Sequence, residues 1–315
     1  MTPLWHNWRV VCLAGGVGGA KMASGLAQQV DPANLTIIAN TGDDFTHCGL
    51  PICPDLDTLL YTLANVGNPE TGWGRAGESW QAMSAVRELG GPTWFNLGDL
   101  DLGLHLTRAH WLAQGRTLTE VTAELCGRLG VRPRLLPMSN QPCPTIVETA
   151  EGHFPFQEWF VGQRWQPAVQ HLHLPDTARA TPQVIAALEA ADLVIIAPSN
   201  PFLSIDPILN AYPIRALLAD VPEVVLAVSP LIGGQAVKGP AAKLMAELGH
   251  TATAAGVANY YDELLDGFVC AREDAAEFAS HDLPILATDI LIPDLPSRAR
   301  LAGEILAFAA QLAEG

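Results

Sequence analysis

Positive charge is scarce in this chain of 315 residues: 17 lysines and arginines stand against 33 aspartates and glutamates, a formal net charge of −16. A surface of that sign repels nucleic-acid phosphates and anionic membranes, so neither is expected as a main partner. An anionic small ligand then needs a local device, such as a helix N-terminus, a basic residue or a bridging cation. Long apolar runs are also missing. Stretches such as Leu193 to Pro198 and Val221 to Ile232 are too short or too interrupted to span a bilayer. The six cysteines (Cys12, Cys48, Cys53, Cys126, Cys143 and Cys270) are dispersed and contain no Cys-x-x-Cys pair. That spacing excludes a dense disulfide scaffold and predicts reduced, buried thiols in a cytosolic protein. Met1-Thr2-Pro3-Leu4-Trp5-His6 carries no basic segment followed by an apolar one, so no signal peptide is expected. There is no internal repeat and no low-complexity tract. What is present is ordinary globular composition, 49% apolar and 16% charged, enough for one large domain or two smaller ones.

Val10 to Ala14 is a continuous apolar run that suits a strand buried on both faces. Gly15-Gly16-Val17-Gly18-Gly19-Ala20-Lys21 follows, then a helical pattern through Met22, Leu26 and Val30, then a second buried strand at Leu35 to Ala39. Strand, glycine turn, helix and strand make a right-handed βαβ unit. Helices are predicted over Asp55 to Asn65 and Ala76 to Leu89, and after the capping box at Thr117 to Glu120. Thr145 to Thr149 and Phe154 to Val161 read as an antiparallel hairpin around Glu151-Gly152. The βα rhythm then resumes with a helix after Thr181-Pro182 and strands at Leu193 to Ala197, Val224 to Val228 and Leu283 to Ala287. Arg298 to Leu312 closes the chain as an amphipathic helix. The predicted class is α/β: a doubly wound, mostly parallel, Rossmann-like sheet in three layers, with a smaller α+β cap inserted. Residues 1–94 and 176–315 form the expected nucleotide-binding core, and 95–175 the cap.

Three constellations bear chemistry. Gly15, Gly16, Gly18 and Gly19 allow a tight turn, present N–H groups and lead into a helix, with Lys21 expected in its first turn near a phosphate. The loop lacks the Lys-Ser/Thr of a Walker sequence, and small residues there also permit close helix–strand packing. Asp43, Asp44, Asp55 and Asp57 lie on two neighbouring loops beside that turn. Each alone suits a turn or a helix start. Together beside a phosphate they would repel one another and the ligand unless a divalent cation, Mg²⁺ by nature of the donors, bridges them. Pro198-Ser199-Asn200-Pro201-Phe202-Leu203-Ser204 follows a strand and offers hydroxyls and an amide at the same sheet edge. His47, Cys48 and Cys53 lack a regularly spaced fourth ligand, so zinc is not expected there. Arg108 could hold a carboxylate or phosphate but reads first as an exposed salt bridge, and Trp73 and Trp80 belong to an aromatic set that is usually core, some of which could stack a flat ring ligand.

Taken together, these motifs resemble the 2-phospho-L-lactate transferase (CofD-type) family. The resemblance is carried by the glycine segment, Asn40-Thr41-Gly42-Asp43-Asp44, Cys53-Pro54-Asp55-Leu56-Asp57-Thr58 and Leu97-Gly98-Asp99-Leu100-Asp101. Leu136-Pro137-Met138-Ser139, Phe156-Gln157-Glu158-Trp159, Ala197-Pro198-Ser199-Asn200-Pro201 and Val257 to Tyr261 continue it in the same order, over roughly residues 9 to 290. The resemblance implies a step in making the deazaflavin coenzyme F-420: transfer of a phosphoacid from its guanosine diphosphate adduct to the deazaflavin alcohol Fo, with release of GMP. It implies Mg²⁺ near Asp43, Asp55 and Asp57, which would be the catalytic set. It places the guanosine diphosphate on Gly15, Gly16, Gly18, Gly19, Lys21, Ser199, Asn200 and Ser204. It puts Fo against Asp57 and Asn96, with the cap contributing, although some relatives carry a basic residue at the position of Asn96. It also implies a cytoplasmic homodimer, and leaves the acid open among phosphoenolpyruvate, phospholactate and phosphoglycerate.

Two other readings compete. Nucleotide-sugar-binding regulators of the related gluconeogenesis-factor family share the glycine turn, but their acidic pair precedes a Gly-Gly-Ser-Ser run where this chain has Phe45-Thr46-His47. A nicotinamide-dependent dehydrogenase expects an acidic residue at the end of the second strand, where Asn40 stands.

Overall fold

The computed structural model describes residues 4–220 and 224–314; Met1–Pro3, the start of the stretch read for a signal peptide, fall outside them. Among the described residues there are fourteen strands and eleven α-helices, with seven of the strands in one central sheet. The strands are β1 (Val10–Ala14), β2 (Leu35–Ala39), β3 (Phe45–His47), β4 (Leu50–Ile52), β5 (Arg134–Pro137), β6 (Ile146–Thr149) and β7 (Gly152–Pro155). They continue as β8 (Val169–His173), β9 (Leu193–Ile196), β10 (Val225–Val228), β11 (Leu231–Ile232), β12 (Gln235–Ala236), β13 (Gly267–Ala271) and β14 (Ile285–Thr288). The helices are α1 (Gly16–Leu26), α2 (Pro54–Leu63), α3 (Gln81–Glu88), α4 (Asp99–Ala113), α5 (Leu118–Arg128) and α6 (Pro182–Glu189). After them come α7 (Asp206–Asn210), α8 (Ile214–Asp220), α9 (Ala241–Glu247), α10 (Ala254–Tyr261) and α11 (Leu295–Ala313).

The central sheet has seven strands in the order β14-β13-β10-β9-β1-β2-β5, and all its pairings are parallel. The order reverses direction at β1, whose neighbours β2 and β9 diverge in the chain, and a crevice opens at such a switch point. Alternate strand residues feed opposite cores, as a two-residue period requires. Val10, Cys12, Ala14, Ile37 and Ile195 pack under α1, α2, α5 and α11. Val11, Leu13, Ile38, Val194 and Ile196 pack under α6, α8, α9 and α10. The result is a three-layer α/β fold. No helix among the described residues is long and apolar enough to cross a membrane. All six cysteines are free, and five are buried, but Cys48 is exposed on the β3–β4 turn.

Sequence and structure part at several places. The edge strand β5 comes from inside the 95–175 stretch set apart as a cap and pairs with β2. Helix α5 of that stretch covers the main sheet, and of its described strands β6, β7 and β8 form a separate antiparallel sheet. The hairpin lies where it is predicted, but its second strand ends at Pro155 and the chain turns helical at Glu158–Gly162. The predicted helix over Ala76 to Leu89 starts only at Gln81. Asp99 fixes that start, accepting hydrogen bonds from the N–H groups of Gln81 and Ala82, while Glu78 caps α4 in return through Leu100 and Asp101. The Leu97 to Asp101 motif is therefore a mutual cap between two helices.

Candidate active site

The glycine segment is less of a loop than it reads. Gly15 is extended and caps the helix, Gly16 takes a left-handed φ of +61°, and Gly16 to Gly19 already form the first turn of α1. Lys21 therefore sits in the second turn rather than the first. It is half-buried, and its ammonium pKa is lowered by burial and by the nearby charges of Arg298 and Lys238. Gly15, Gly18 and Gly19 are needed here for space, and Gly16 for conformation. A Cβ on Gly18 would lie 2.2 Å from the Pro198 carbonyl oxygen, and one on Gly19 would lie 2.7 Å from Ser199 Oγ. A Cβ on Gly15 would lie 2.4 Å from Asp55 Oδ2. Gly18→Ala is accordingly expected to lower stability by about 1–3 kcal/mol despite alanine's better helix propensity, because the backbone of the next loop must move. Thermal melting checks this.

Ser199 and Asn200, at the end of β9, hold the turn in place. Ser199 Oγ donates to the Gly15 carbonyl at 2.8 Å and accepts from Gly15 N–H at 3.2 Å, so its hydroxyl is already engaged. Asn200 Oδ1 accepts from the N–H groups of Phe202 and Leu203, while its buried Nδ2 has no partner and stays available as a donor. Ser204 is buried against Gly15.

The carboxylates divide into two groups. Asn40, at the end of β2, joins the first. Its Nδ2 reaches Asp43 Oδ1 at 3.2 Å and Asp55 Oδ2 at 2.9 Å, and its Oδ1 accepts from Gly42 N–H at 2.7 Å. Asp55 Oδ1 also accepts from Gly16 N–H at 2.6 Å, and Gln157 Nε2 donates to Asp43 Oδ2 at 3.1 Å. A buried carboxylate pair thus meets the N-terminus of α1 at the sheet's switch point. Burial raises the Asp43 pKa well above the usual carboxylate range, with the charges of Asp55 and Asp44 adding to it. Burial pushes Asp55 up to about 6, against the hydrogen bonds from Asn40 and Gly16.

The sign of the resulting pH dependence follows. A carboxyl with a raised folded-state pKa binds more protons folded than unfolded, so stability falls as pH rises from about 4 through about 6. Without divalent cations, the wild type should lose on the order of 3 kcal/mol relative to Asp55→Asn across that window. Denaturant titrations in chelator check it, and a pH-independent difference would contradict the assignment.

Asp57 belongs to the second group. Residues two apart on a helix project about 200° from one another, so Asp55 and Asp57 cannot share a face of α2. Arg108 of α4, read above as an exposed salt bridge, is only 2% exposed. Its Nη1 lies 3.1 Å from Asp57 Oδ2, and its Nη2 donates to Asp57 Oδ1. His105 Nδ1 lies 3.7 Å from Asp57 and its Nε2 3.3 Å from Asp101, which in turn accepts from the Tyr61 hydroxyl. Among the described residues, Asp43, Asp55 and Asp57 do not converge as one three-ligand metal cluster.

A smaller oxygen set remains. Thr41 Oγ1, Asp44 Oδ1 and Thr145 Oγ1 around the turn are buried without hydrogen-bond partners. Two carboxylates with hard oxygen neighbours fit Mg²⁺, which commonly takes one or two carboxylates and completes its shell with phosphates and water. The zinc-like trio is dispersed in character: His47 packs edge-on against Trp94 and Phe95, Cys53 is buried, and Cys48 faces solvent. Asn96 is exposed in a cleft of 230 Å³ with Trp80, Met83, Ser84 and Arg87, and Asp57 is not among the residues lining it. Sequence reasoning missed Asn40 as the bridge, Gln157 as a partner of Asp43, and Arg108 as the ion-pair partner of Asp57. Helical spacing was the available signal for the last.

The family profile described as "2-phospho-L-lactate transferase CofD" matches residues 10–284. A phosphoenolpyruvate transferase of Kitasatospora aureofaciens is 41% identical, over 98% of this chain and 99% of that protein. A 2-phospho-L-lactate transferase of Methanospirillum hungatei is 40% identical, over 85% of this chain and 90% of its own. Among solved structures, a Bacillus halodurans protein of the UPF0052 family superposes with a TM-score of 0.63 at 15% identity, covering 94% of this chain and 99% of its own, a likeness of fold alone. A profile spanning most of the chain, and relatives matched along nearly all of it, place this protein in the CofD family of transferases of coenzyme F-420 biosynthesis.

Proposed function

We propose that this chain transfers a phosphoacid group from its guanosine diphosphate adduct to the terminal hydroxyl of the deazaflavin Fo, releasing GMP. The observation that carries the reading is the Asp43–Asn40–Asp55 cluster set against the first turn of α1. Helix N-termini bind phosphate, and carboxylates beside one need a cation. Asp43 and Asp55 are the residues that would hold Mg²⁺, which when bound neutralises charge on the phosphoryl oxygens. The first-turn N–H groups of α1 not taken by Asp55 face the diphosphate, and Asn200 Nδ2 supplies a further donor. The Fo hydroxyl oxygen forms a bond to the acid-side phosphorus, the bond from that phosphorus to the GMP oxygen breaks, and a carboxylate of the pair receives the hydroxyl proton. Trp80, Arg87 and Asn96 offer a flat ring, a cation and an amide in one cleft, which suits the deazaflavin ring system.

Phosphoenolpyruvyl is the acid we favour. The relatives named phosphoenolpyruvate transferase are matched over 96–98% of this chain, and those named 2-phospho-L-lactate transferase over 85% and 86%. Competition of the three guanosine diphosphate-linked acids for limiting Fo, read by product mass, tests this choice. The phosphoenolpyruvyl product should dominate, and a phospholactyl or phosphoglyceryl product in excess would overturn it.

A further inference from the structure

Away from the switch point, the antiparallel sheet carries an unusual outer face. Side chains alternate across it: Val147 and Thr149 of β6 are buried below, while Glu148 points outward. His153 of β7 and His171 of β8 stand directly opposite Glu148 in register, and His173 stands opposite Ile146, diagonal to Glu148. Cross-strand neighbours on one face lie close enough to converge on a small ligand. Here they do: His173 Nε2 is 2.6 Å from Glu148 Oε2, and His153 Nε2 is 3.7 Å from the same oxygen. One donor atom from each of Glu148, His153 and His173 falls within 4.8 Å of the others. Two donors on a tetrahedral zinc ion stand about 3.3 Å apart, so small side-chain rotations would centre an ion among these three. The two imidazoles are 62% and 52% exposed, which leaves them free to rotate and open to an ion from solvent.

We propose that Glu148, His153 and His173 form a surface site for a borderline-soft divalent transition metal, zinc being the best fit, with water completing the shell. Two imidazoles and one carboxylate with an open position are a zinc donor set. Magnesium, which prefers oxygen, does not compete for imidazole, so this site is chemically separate from the Asp43–Asp55 pair. An ion here would tie together the three strands of this sheet. One end of its hairpin reaches Asp43 and the other the residue before it: Gln157, after β7, donates to Asp43, and Thr145 N–H, before β6, donates to the Gly42 carbonyl. The site therefore sits where binding would stiffen the support of Asp43.

Equilibrium dialysis of the whole protein against micromolar ZnCl₂ in excess MgCl₂ tests the proposal. The wild type should retain one zinc more per chain than His153→Ala/His173→Ala, and Co²⁺ should give visible bands of low-coordinate cobalt in the wild type only. Zinc should also raise the melting temperature of the wild type and not that of the variant. Because the imidazoles are on the surface, the variant should fold. Should its metal-free melting fall, Glu148→Gln, which keeps the shape of the face, carries the same comparison. Equal zinc retention by the wild type and either folded variant would overturn the site.

Discussion

Asp55→Asn is expected to lower kcat by about 10³-fold while the protein still folds, the scale on which losing a charged group at the reacting centre acts. Asp55 is tied to Gly16 at the start of α1 and, through Asn40, to Asp43. Asparagine keeps an oxygen for the Gly16 N–H but gives up the charge that holds a cation. Its effect should therefore fall on turnover and on the Mg²⁺ concentration needed for half-maximal rate, with no loss of melting temperature near neutral pH. Steady-state kinetics across Mg²⁺ concentrations measures both. Turnover within tenfold of the wild type would remove Asp55 from the reaction.

Asp57→Asn is expected to act differently, lowering stability by about 3–5 kcal/mol, because it strips the buried Arg108 of its counter-charge. Both Asp57 oxygens face that guanidinium, and burial leaves Arg108 no water to turn to. On the proposed mechanism the motif Asp55-Leu56-Asp57 would supply one residue to the reacting centre, while Asp57 belongs to a network joining α2 to α4. The double variant Asp57→Leu/Arg108→Met should recover most of the lost stability, since replacing a buried ion pair with apolar groups is often close to neutral. Denaturant unfolding of the single and double variants separates the cases. A single variant as stable as the wild type would show that Arg108 is not dependent on Asp57.

These two outcomes bear on what a sequence of this kind discloses. The βαβ start, the capping box at Thr117, and the strands through Leu193 and Val225 follow from local chemistry, and pattern alone reads them. β5 and β13 escaped it. Leu135 and Leu136 are too few to distinguish a short edge strand, and Gly267 to Ala271 reads as a strand only once Leu226 has packed over Gly267. The glycine segment was legible as a tight turn into a helix, but its close packing on Pro198 and Ser199 depends on which strand lies beside β1. The acidic residues were legible as a set and not as two sets. Proximity along the chain suggested one cluster, whereas the helical rotation between Asp55 and Asp57 divides them. Asn40, which reads only as the absence of a ribose-binding acid, is the hub that joins Asp43 to Asp55, and no local pattern announces that.

The most direct test of the proposed reaction follows GMP in a single turnover of purified protein with guanosine diphosphate-linked phosphoenolpyruvate and Mg²⁺, with and without Fo. GMP should appear only when Fo is present, in equal amount with a phosphodiester of Fo, and Asp55→Asn should abolish both. GMP released at the same rate without Fo, or none with any of the three acids, would contradict the transfer.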